Sequence, residues 1–216
     1  MQQIPDATVR IETVVFTMLP MDPLRIEVSG GYYHLSTRGN NRRVICDDDV
    51  DRRNFLVQLN RVTTKYEWKL LAYCLMGNHY HLIVQIGDLG MSRGMCELNS
   101  GYARTYNKRH RRANHLFGRR YWDALIATDE HLLECCRYVA LNPVRAGICE
   151  LPGDWKWSSY AATVGREFAP AFLANDELLQ LFGRRPDVAR QAYKRFVREG
   201  NDIRQPPWKK TDASVT

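Results

Sequence analysis

Two histidines, His79 and His81, lie two positions apart inside the apolar segment 75–84. In a β-strand, residues i and i+2 point to the same face, so both imidazole rings would project in one direction. Neutral imidazole is a common ligand of divalent metal ions, and a buried strand has no packing reason to place two polar rings together. The pair therefore indicates half of a metal site, with satisfied core histidines as the alternative.

A phenol and an amide lie downstream at helical spacing. Tyr138 and Asn142 are four residues apart in a segment with a helical pattern, so they would share one helix face. Facing the two histidines, they would supply a nucleophile and a third metal ligand. The alternatives are structural: Tyr138 could be a core aromatic residue, and Asn142 could be the C-cap of a helix before Pro143.

Several motifs resemble those of a known family and occur in the same order. The strand with His79 and His81, the helix with Tyr138 and the segment Tyr-Tyr-His-Leu-Ser-Thr-Arg-Gly-Asn-Asn-Arg at 32–42 are similar to single-tyrosine HUH transposases. These are the insertion-sequence-two-hundred-like enzymes. One departure is Tyr80, which stands between the histidines where an aliphatic residue is usual, and which would point away from the metal.

The resemblance is closest to the REP-associated tyrosine transposases within this family. That branch carries segments similar to Arg-Tyr-Val-Ala-Leu-Asn-Pro-Val-Arg-Ala-Gly at 137–147 and Trp-Lys-Trp-Ser-Ser-Tyr at 155–160. The resemblance extends from about residue 23 to about residue 164.

The resemblance implies a metal-dependent enzyme that nicks single-stranded DNA and transfers the strand. Tyr138 would form a 5′-phosphotyrosine and leave a free 3′-hydroxyl that can reverse the step. His79, His81 and Asn142 would hold a divalent metal ion, Mg²⁺ or Mn²⁺, that polarises the phosphate. The implied substrate is single-stranded DNA with a short hairpin, and relatives are monomers or homodimers.

Two other functions remain open at this point. A domesticated protein could bind hairpin nucleic acid with a silent nuclease site, or a metal-dependent hydrolase could let water attack in place of Tyr138. Only the tyrosine mechanism leaves a denaturant-stable adduct between protein and DNA, so a test for that adduct separates the three functions.

The charge of the chain favours a polyanionic partner. Thirty-one basic residues against 24 acidic ones give a net charge of +7 and a pI near 9.2. The second basic run is interleaved with Tyr102, Tyr106, His110 and His115, which could stack on unpaired bases, although basic runs are also common on solvated surfaces. The candidate DNA-binding residues are Arg38, Asn40, Arg42, Arg43, Lys108, Arg109, Arg111, Arg112, Arg119 and Arg120.

Membrane and zinc-ribbon functions are disfavoured. The longest apolar runs are too short and broken to cross a bilayer. The six cysteines form no Cys-x-x-Cys pair, which makes a zinc ribbon improbable. Free thiols and the lack of a visible signal peptide predict a cytoplasmic protein.

The pattern of elements predicts an α+β fold. We expect strands at 32–37, 68–74, 80–85 and 121–127. A first helix should begin at Asp47–Asp49, with an apolar stripe at Val50, Leu56, Leu59 and Val62. A second should begin at a Ser92 cap and run to Lys108, burying Met95, Leu98, Tyr102 and Tyr106. The Tyr138 helix should begin at an Asp129 cap and end near Asn142, because proline disfavours helical geometry in the residue before it.

This order predicts a ferredoxin-like antiparallel sheet with helices on one face and the Tyr138 helix added across the metal face. The expected organisation is an N-terminal extension at 1–22, an HUH transposase domain at 23–147 and a C-terminal helical tail at 148–203. In the tail, the Trp-rich turn at 155–160 should dock on the domain, and short helices should lie near 175–182 and 187–199. Residues 204–216 are polar and expected to be disordered.

Overall fold

Four strands and six helices make up the part of the chain that the computed structural model describes, residues 27–118 and 120–200. In chain order they are β1 (Tyr32–Arg38), α1 (Asp49–Lys65), β2 (Lys69–Leu75), β3 (His79–Gln85), α2 (Met91–Arg109), β4 (Trp122–Ile126), α3 (Asp129–Arg145), α4 (Tyr160–Thr163), α5 (Asn175–Gln180) and α6 (Pro186–Glu199). Short 3₁₀ turns occur at Asn40–Arg42 and Pro152–Asp154. The predicted extension at 1–22, the segment 204–216 and Arg119 lie outside the described residues.

The strands form one antiparallel sheet in the order β2-β3-β1-β4. This order, with one helix between β1 and β2 and another between β3 and β4, confirms the predicted ferredoxin-like α+β fold. The register between β2 and β3 shifts by a bulge between Leu70 and Ala72.

Both faces of the sheet are covered, each by a separate apolar core. Alternate residues such as Leu35 and Leu82 pack against α1 and α2 on one face. Residues of opposite parity, such as Ile83, pack with α3, α5 and α6 on the other face. The two connecting helices therefore lie on one face, as predicted, and the Tyr138 helix covers the other.

Helix α1 begins where the acidic cluster predicts, but it buries a different stripe. The Asp48 side chain accepts hydrogen bonds from the backbone N–H groups of Val50 and Asp51, at 2.9 and 3.1 Å. Leu59 and Val62 are buried as predicted. Val50 is 39% exposed, and Phe55 instead continues the buried face, because it lies four residues before Leu59.

Helix α2 is capped by a residue from far away in the sequence. The prediction that Ser92 caps it was wrong: the helix begins at Met91, after Gly90. The Glu27 carboxylate accepts hydrogen bonds from the backbone N–H groups of Met91 and Ser92, at 2.8 and 2.9 Å. A negative charge at this end also suits the helix dipole. The predicted apolar face is confirmed, since Met95, Leu98, Tyr102 and Tyr106 are all buried.

Helix α3 starts one residue earlier and ends one turn later than predicted. Its N-cap is Thr128, and it continues through Pro143 to Arg145, so the prediction that it ends near Asn142 was wrong. Pro143 forfeits only its own N–H, while Ala146 N–H still donates to the Asn142 carbonyl at 3.0 Å. After the helix ends at Arg145, Gly147 has a φ of +68°, which lets Ile148 N–H donate to the Pro143 carbonyl.

The Trp-rich turn docks the tail on strand β2, as predicted. The Trp155 indole N–H donates to the Leu75 carbonyl at 3.0 Å, and Leu75 N–H donates to the Trp157 carbonyl at 2.8 Å. The Arg52 guanidinium of α1 lies 5.5 and 5.7 Å from the two indole ring centroids. The tail is thereby joined to β2, the edge strand of the sheet.

Candidate active site

Strand β3 directs the two histidines into the same side of the sheet. The His79 and His81 ring centroids are 5.0 Å apart, and on β1 their cross-strand partners are Arg38 and Ser36. Tyr80 points to the opposite core, as predicted, where its hydroxyl donates to Asn99 Oδ1 at 2.6 Å.

Helix α3 brings the phenol and the amide to the same place. The Tyr138 ring is half-buried, lies 5.7 Å from the His81 ring, centroid to centroid, and is perpendicular to it. Asn142 is buried and its amide acts on the His79 ring. Because α3 continues to Arg145, Asn142 is not a C-cap, which removes that alternative.

These four side chains line one open cavity of about 480 Å³. Its other lining residues are Ser36, Arg38, Trp122, Arg145 and Ala146. The structure thus brings together all of the residues predicted as catalytic or metal-binding, and two cationic side chains line the same cavity.

Both histidines suit a divalent metal ion in their protonation and orientation. Burial, followed by the Arg38 charge, lowers the pKa of His79 to about 4, and burial lowers the pKa of His81 well below its usual range. Both rings are therefore neutral at pH 7 and retain a lone pair. The Nδ1 atom of His79 lies 2.6 Å from Asn78 Oδ1, which leaves Nε2 as the ring's ligating atom. Such hydrogen bonds behind a ligand are typical of metal-binding histidines.

His34 lies directly behind His81. It is fully buried, its Nε2 atom is 2.9 Å from His81 Nδ1, and its ring centroid is 5.1 Å from that of Trp122. His34 does not line the cavity and meets it through His81.

Arg145 is a cavity residue that the sequence reasoning missed. It lies seven residues after Tyr138 and three after Asn142, on the same face of α3. Its guanidinium carbon is 5.0 Å from the Tyr138 ring centroid. Its Nε and Nη1 atoms are buried and have no hydrogen-bond partner among the described residues. Burial also lowers its pKa. The half-buried Arg145 guanidinium therefore lies next to the Tyr138 ring.

Comparison with known proteins identifies the family. A family model described as "Transposase IS200 like" matches residues 27–142, more than half of the chain. The chain belongs to the IS200-like transposase family. Homologues in this family are single-tyrosine HUH endonucleases and transposases.

Relatives of this IS200-like chain include REP-associated proteins. A Haemophilus influenzae (strain ATCC 51907 / DSM 11121 / KW20 / Rd) protein described as a REP-associated tyrosine transposase is 28% identical over 116 residues, which are 49% of this chain. The chain covers 66% of that relative, just under two thirds of its length. A solved structure of a REP-associated tyrosine transposase bound to a REP hairpin shares the fold, with a TM-score of 0.60 and 19% identity. That match covers 71% of this chain and 91% of the other.

The first basic turn of this IS200-like protein adjoins the cavity. Arg38 lines it, whereas Asn40, Arg42 and Arg43 do not, and the last two are exposed. Arg42 has a φ of +59°, a left-handed conformation that a non-glycine residue adopts only where its surroundings hold it. The Asn40 N–H donates to the Leu116 carbonyl at 2.8 Å, which joins this turn to the loop after α2.

The second basic run is only partly available to a ligand. Lys108 and Arg111 are exposed, as is Arg120 further on, while Arg112 donates to the Tyr106 hydroxyl at 3.3 Å. Tyr102 and Tyr106 are each about 1% exposed, so the suggestion that they stack on unpaired bases was wrong. Their rings complete the core between the sheet and α2.

Arg109 belongs to a cluster that the sequence did not reveal. Ligand atoms of Asp47, Asp51 and His110 lie within 4.8 Å of one another, close enough to hold a metal ion. However, Asp51 already accepts from Arg109 Nη1 at 2.6 Å and lies 2.9 Å from His110 Nε2. Arg109 thus already pairs with the carboxylate that an ion would need. We interpret the cluster as an ion-pair network that joins the start of α1 to the end of α2.

Among the described residues, no helix is both long and apolar enough to span a membrane.

Proposed function

We propose that this chain nicks single-stranded DNA and transfers the strand through a 5′-phosphotyrosine on Tyr138. The observation that carries the proposal is the position of Tyr138, whose ring faces His81 at 5.7 Å across a cavity that Asn142 and His79 also line. A tyrosine that served only the core would not be half-exposed at the wall of an open cavity.

The reaction exchanges one phosphodiester for another. The Tyr138 oxygen attacks the phosphorus and loses its proton, and the bond from phosphorus to the 3′-oxygen breaks. That oxygen takes up a proton and becomes a free 3′-hydroxyl. Because a phosphodiester is kept in the adduct, attack by a 3′-hydroxyl reverses the step without ATP.

Positive charge around the phosphate is supplied by the chain itself. Arg38 and Arg145 both line the cavity, on β1 and α3. A phenol ordinarily has a pKa near 10, so its attack at neutral pH is favoured by a cation near the developing phenolate. Arg145, at 5.0 Å from the Tyr138 ring centroid, is placed for that role.

His79, His81 and Asn142 would hold a divalent metal ion, and two neutral imidazoles with one amide oxygen suit Mn²⁺ and, less closely, Mg²⁺. When bound, this ion supplies Lewis-acid polarisation of the scissile phosphate.

Single-stranded DNA with a hairpin is the substrate we propose. The net charge of +7 and the exposed cations beside the cavity support a polyanionic ligand. The solved structure that shares this fold holds a REP hairpin, which supports the hairpin feature.

The test is a search for the covalent adduct. The protein is incubated with Mn²⁺ and single-stranded oligonucleotides from the flanks of its own gene, and denaturing gels are examined for a protein–DNA band. Wild type should form the adduct, and Tyr138→Phe, which removes one oxygen and keeps the ring, should not. Tyr106→Phe is the matched control, because its hydroxyl lies on the other side of the sheet.

Each contrary outcome has a definite meaning. Cleavage without an adduct would indicate attack by water, and binding without cleavage would indicate a silent nuclease site. Peptide mapping of the adduct to any tyrosine other than Tyr138 would contradict the assignment of the nucleophile.

A further inference from the structure

A second cavity, of about 100 Å³, lies between α3 and the C-terminal tail. Leu141 of α3 and Leu151 form part of its apolar wall, and the polar groups around it come from the tail. These tail residues lie after residue 142, outside the part of the chain that the family model matches. The cavity is therefore built largely by the C-terminal tail.

Three cations surround this cavity without acidic partners. Arg166, Lys194 and Arg198 all line it and are exposed. None of them forms an ion pair with a carboxylate of the described residues, even though Glu150 lines the same cavity. In contrast, Arg195 on the same helix pairs with Glu199 at 3.9 Å. Like charges gathered around one cavity repel each other, so their convergence favours an anionic ligand.

A tyrosine side chain also lines this cavity. Tyr160 is only 6% exposed and its ring packs against Tyr193, yet its hydroxyl makes no hydrogen bond to any residue in the described ranges. The charges of Arg166 and Arg198 both act on this phenol, which places all three groups together. Because Tyr160 lines the cavity and its hydroxyl has no partner in the described ranges, that hydroxyl is available to donate to a ligand acceptor.

We infer that this cavity is a second binding site, and that its ligand is a phosphate group. The Tyr160 O–H would donate to one phosphate oxygen, and the guanidinium groups of Arg166 and Arg198 present the forked donors that bind phosphate well. A volume of about 100 Å³ is that of about three liquid water molecules, which suits a phosphate better than a whole nucleotide.

The phosphate could come from DNA or from a free phosphate compound. Ala146 lines the active-site cavity and Glu150 lines this one, and since Glu150 lies four residues after Ala146, the two are at most about 14 Å apart. A strand that enters the active site could therefore place a backbone phosphate here. DNA as the source of the phosphate rests on the proposed function, whereas the existence of a phosphate-binding site does not.

The variants for the test are Tyr160→Phe and Arg198→Ala, with Arg195→Ala as the matched control on the same helix. Binding of a single-stranded hairpin oligonucleotide is measured against salt concentration. If a backbone phosphate occupies the site, Arg198→Ala should reduce the slope of log K against log salt by about 0.7. Tyr160→Phe should weaken binding about fivefold, the range of one hydrogen bond. Arg195→Ala should leave both quantities unchanged.

A second arm uses inorganic phosphate and dAMP, with thermal unfolding as the readout. Stabilisation of wild type but not of Tyr160→Phe or Arg198→Ala, with oligonucleotide binding unaffected, would support the site and identify a free phosphate compound as its source. The inference is overturned if Tyr160→Phe and Arg198→Ala match wild type and Arg195→Ala in both DNA binding and thermal stabilisation by phosphate.

A further variant keeps every charge and changes only geometry. The Arg166 side chain runs over Gly153, where a Cβ atom would displace it. Gly153→Ala should therefore weaken phosphate binding without altering net charge. None of these variants touches the active-site cavity, so each should still form the Tyr138 adduct. If wild type itself forms no adduct, the proposed function is contradicted, but the inference of a phosphate site is not.

Discussion

His34 Nε2 lies 2.9 Å from His81 Nδ1, in the buried layer between β1 and α3. One of these two nitrogens must donate a proton to the other. If His81 binds a metal through Nε2, its Nδ1 carries the proton, so His34 must be the acceptor. This contact then sets the tautomer and the ring orientation of His81.

Replacing His34 should weaken metal binding without touching the metal ligands. We expect His34→Leu to lower Mn²⁺ affinity about 10- to 100-fold, the usual effect of losing a hydrogen bond behind a metal ligand. His34→Gln keeps an acceptor and should recover part of that loss. Titration calorimetry with Mn²⁺, without DNA, measures both. Equal affinity in wild type and His34→Leu would contradict this role.

Arg145 should matter for chemistry more than for DNA binding. Its guanidinium lies over the Tyr138 ring and would act on charge that develops during the reaction. Arg145→Ala should slow adduct formation about 100-fold in single-turnover experiments. Arg145→Lys keeps the charge but not the planar fork, so its rate should be intermediate. If folded Arg145→Ala forms the adduct at the wild-type rate, Arg145 has no role in the chemical step.

Features that depend on local geometry were predictable from the sequence. Alternation in β3 places His79 and His81 on one face and Tyr80 on the other whatever the rest of the fold. Helical spacing alone likewise predicts that Leu98 and Tyr102 of α2 are buried and that Tyr138 and Asn142 share a face. The fold and the four central site residues follow from such patterns.

Features that depend on distant partners were not predictable in this way. The cap of α2 comes from Glu27, and the role of Arg109 depends on Asp51. Neither contact has a local signal, because the fold alone brings the partners together. Arg145 is different: proline normally ends a helix, and only the extra turn beyond Pro143 places Arg145 in the cavity.

Arg109 and Arg111 lie two residues apart, yet their variants should behave differently. Arg109→Ala removes the arginine that pairs with the buried Asp51 carboxylate, so we expect the free energy of unfolding to fall. Arg111 is exposed, and Arg111→Ala should leave stability unchanged but reduce the salt slope of DNA binding by about 0.7. Urea unfolding and salt-dependent binding of both variants measure this. Weakened DNA binding by a fully stable Arg109→Ala would instead support its direct contact with DNA.

Buried His34 should make the fold sensitive to mild acid. Burial, with a smaller effect from His131, lowers the pKa of His34 from 6.5 to about 3. Below pH 6.5 the unfolded chain therefore binds a proton that the folded chain does not, and the free energy of unfolding falls as the pH falls. Above pH 6.5 this loss is absent.

At pH 5 the loss from this one group is about 2 kcal/mol, since each unit below 6.5 corresponds to about 1.4 kcal/mol. Urea unfolding at pH 7.5 and pH 5, with EDTA present, should show a smaller difference for His34→Gln than for wild type. His115→Gln, a change at an exposed position, should keep the wild-type difference. If His34→Gln and wild type lose the same stability between the two pH values, His34 is not the group that resists protonation.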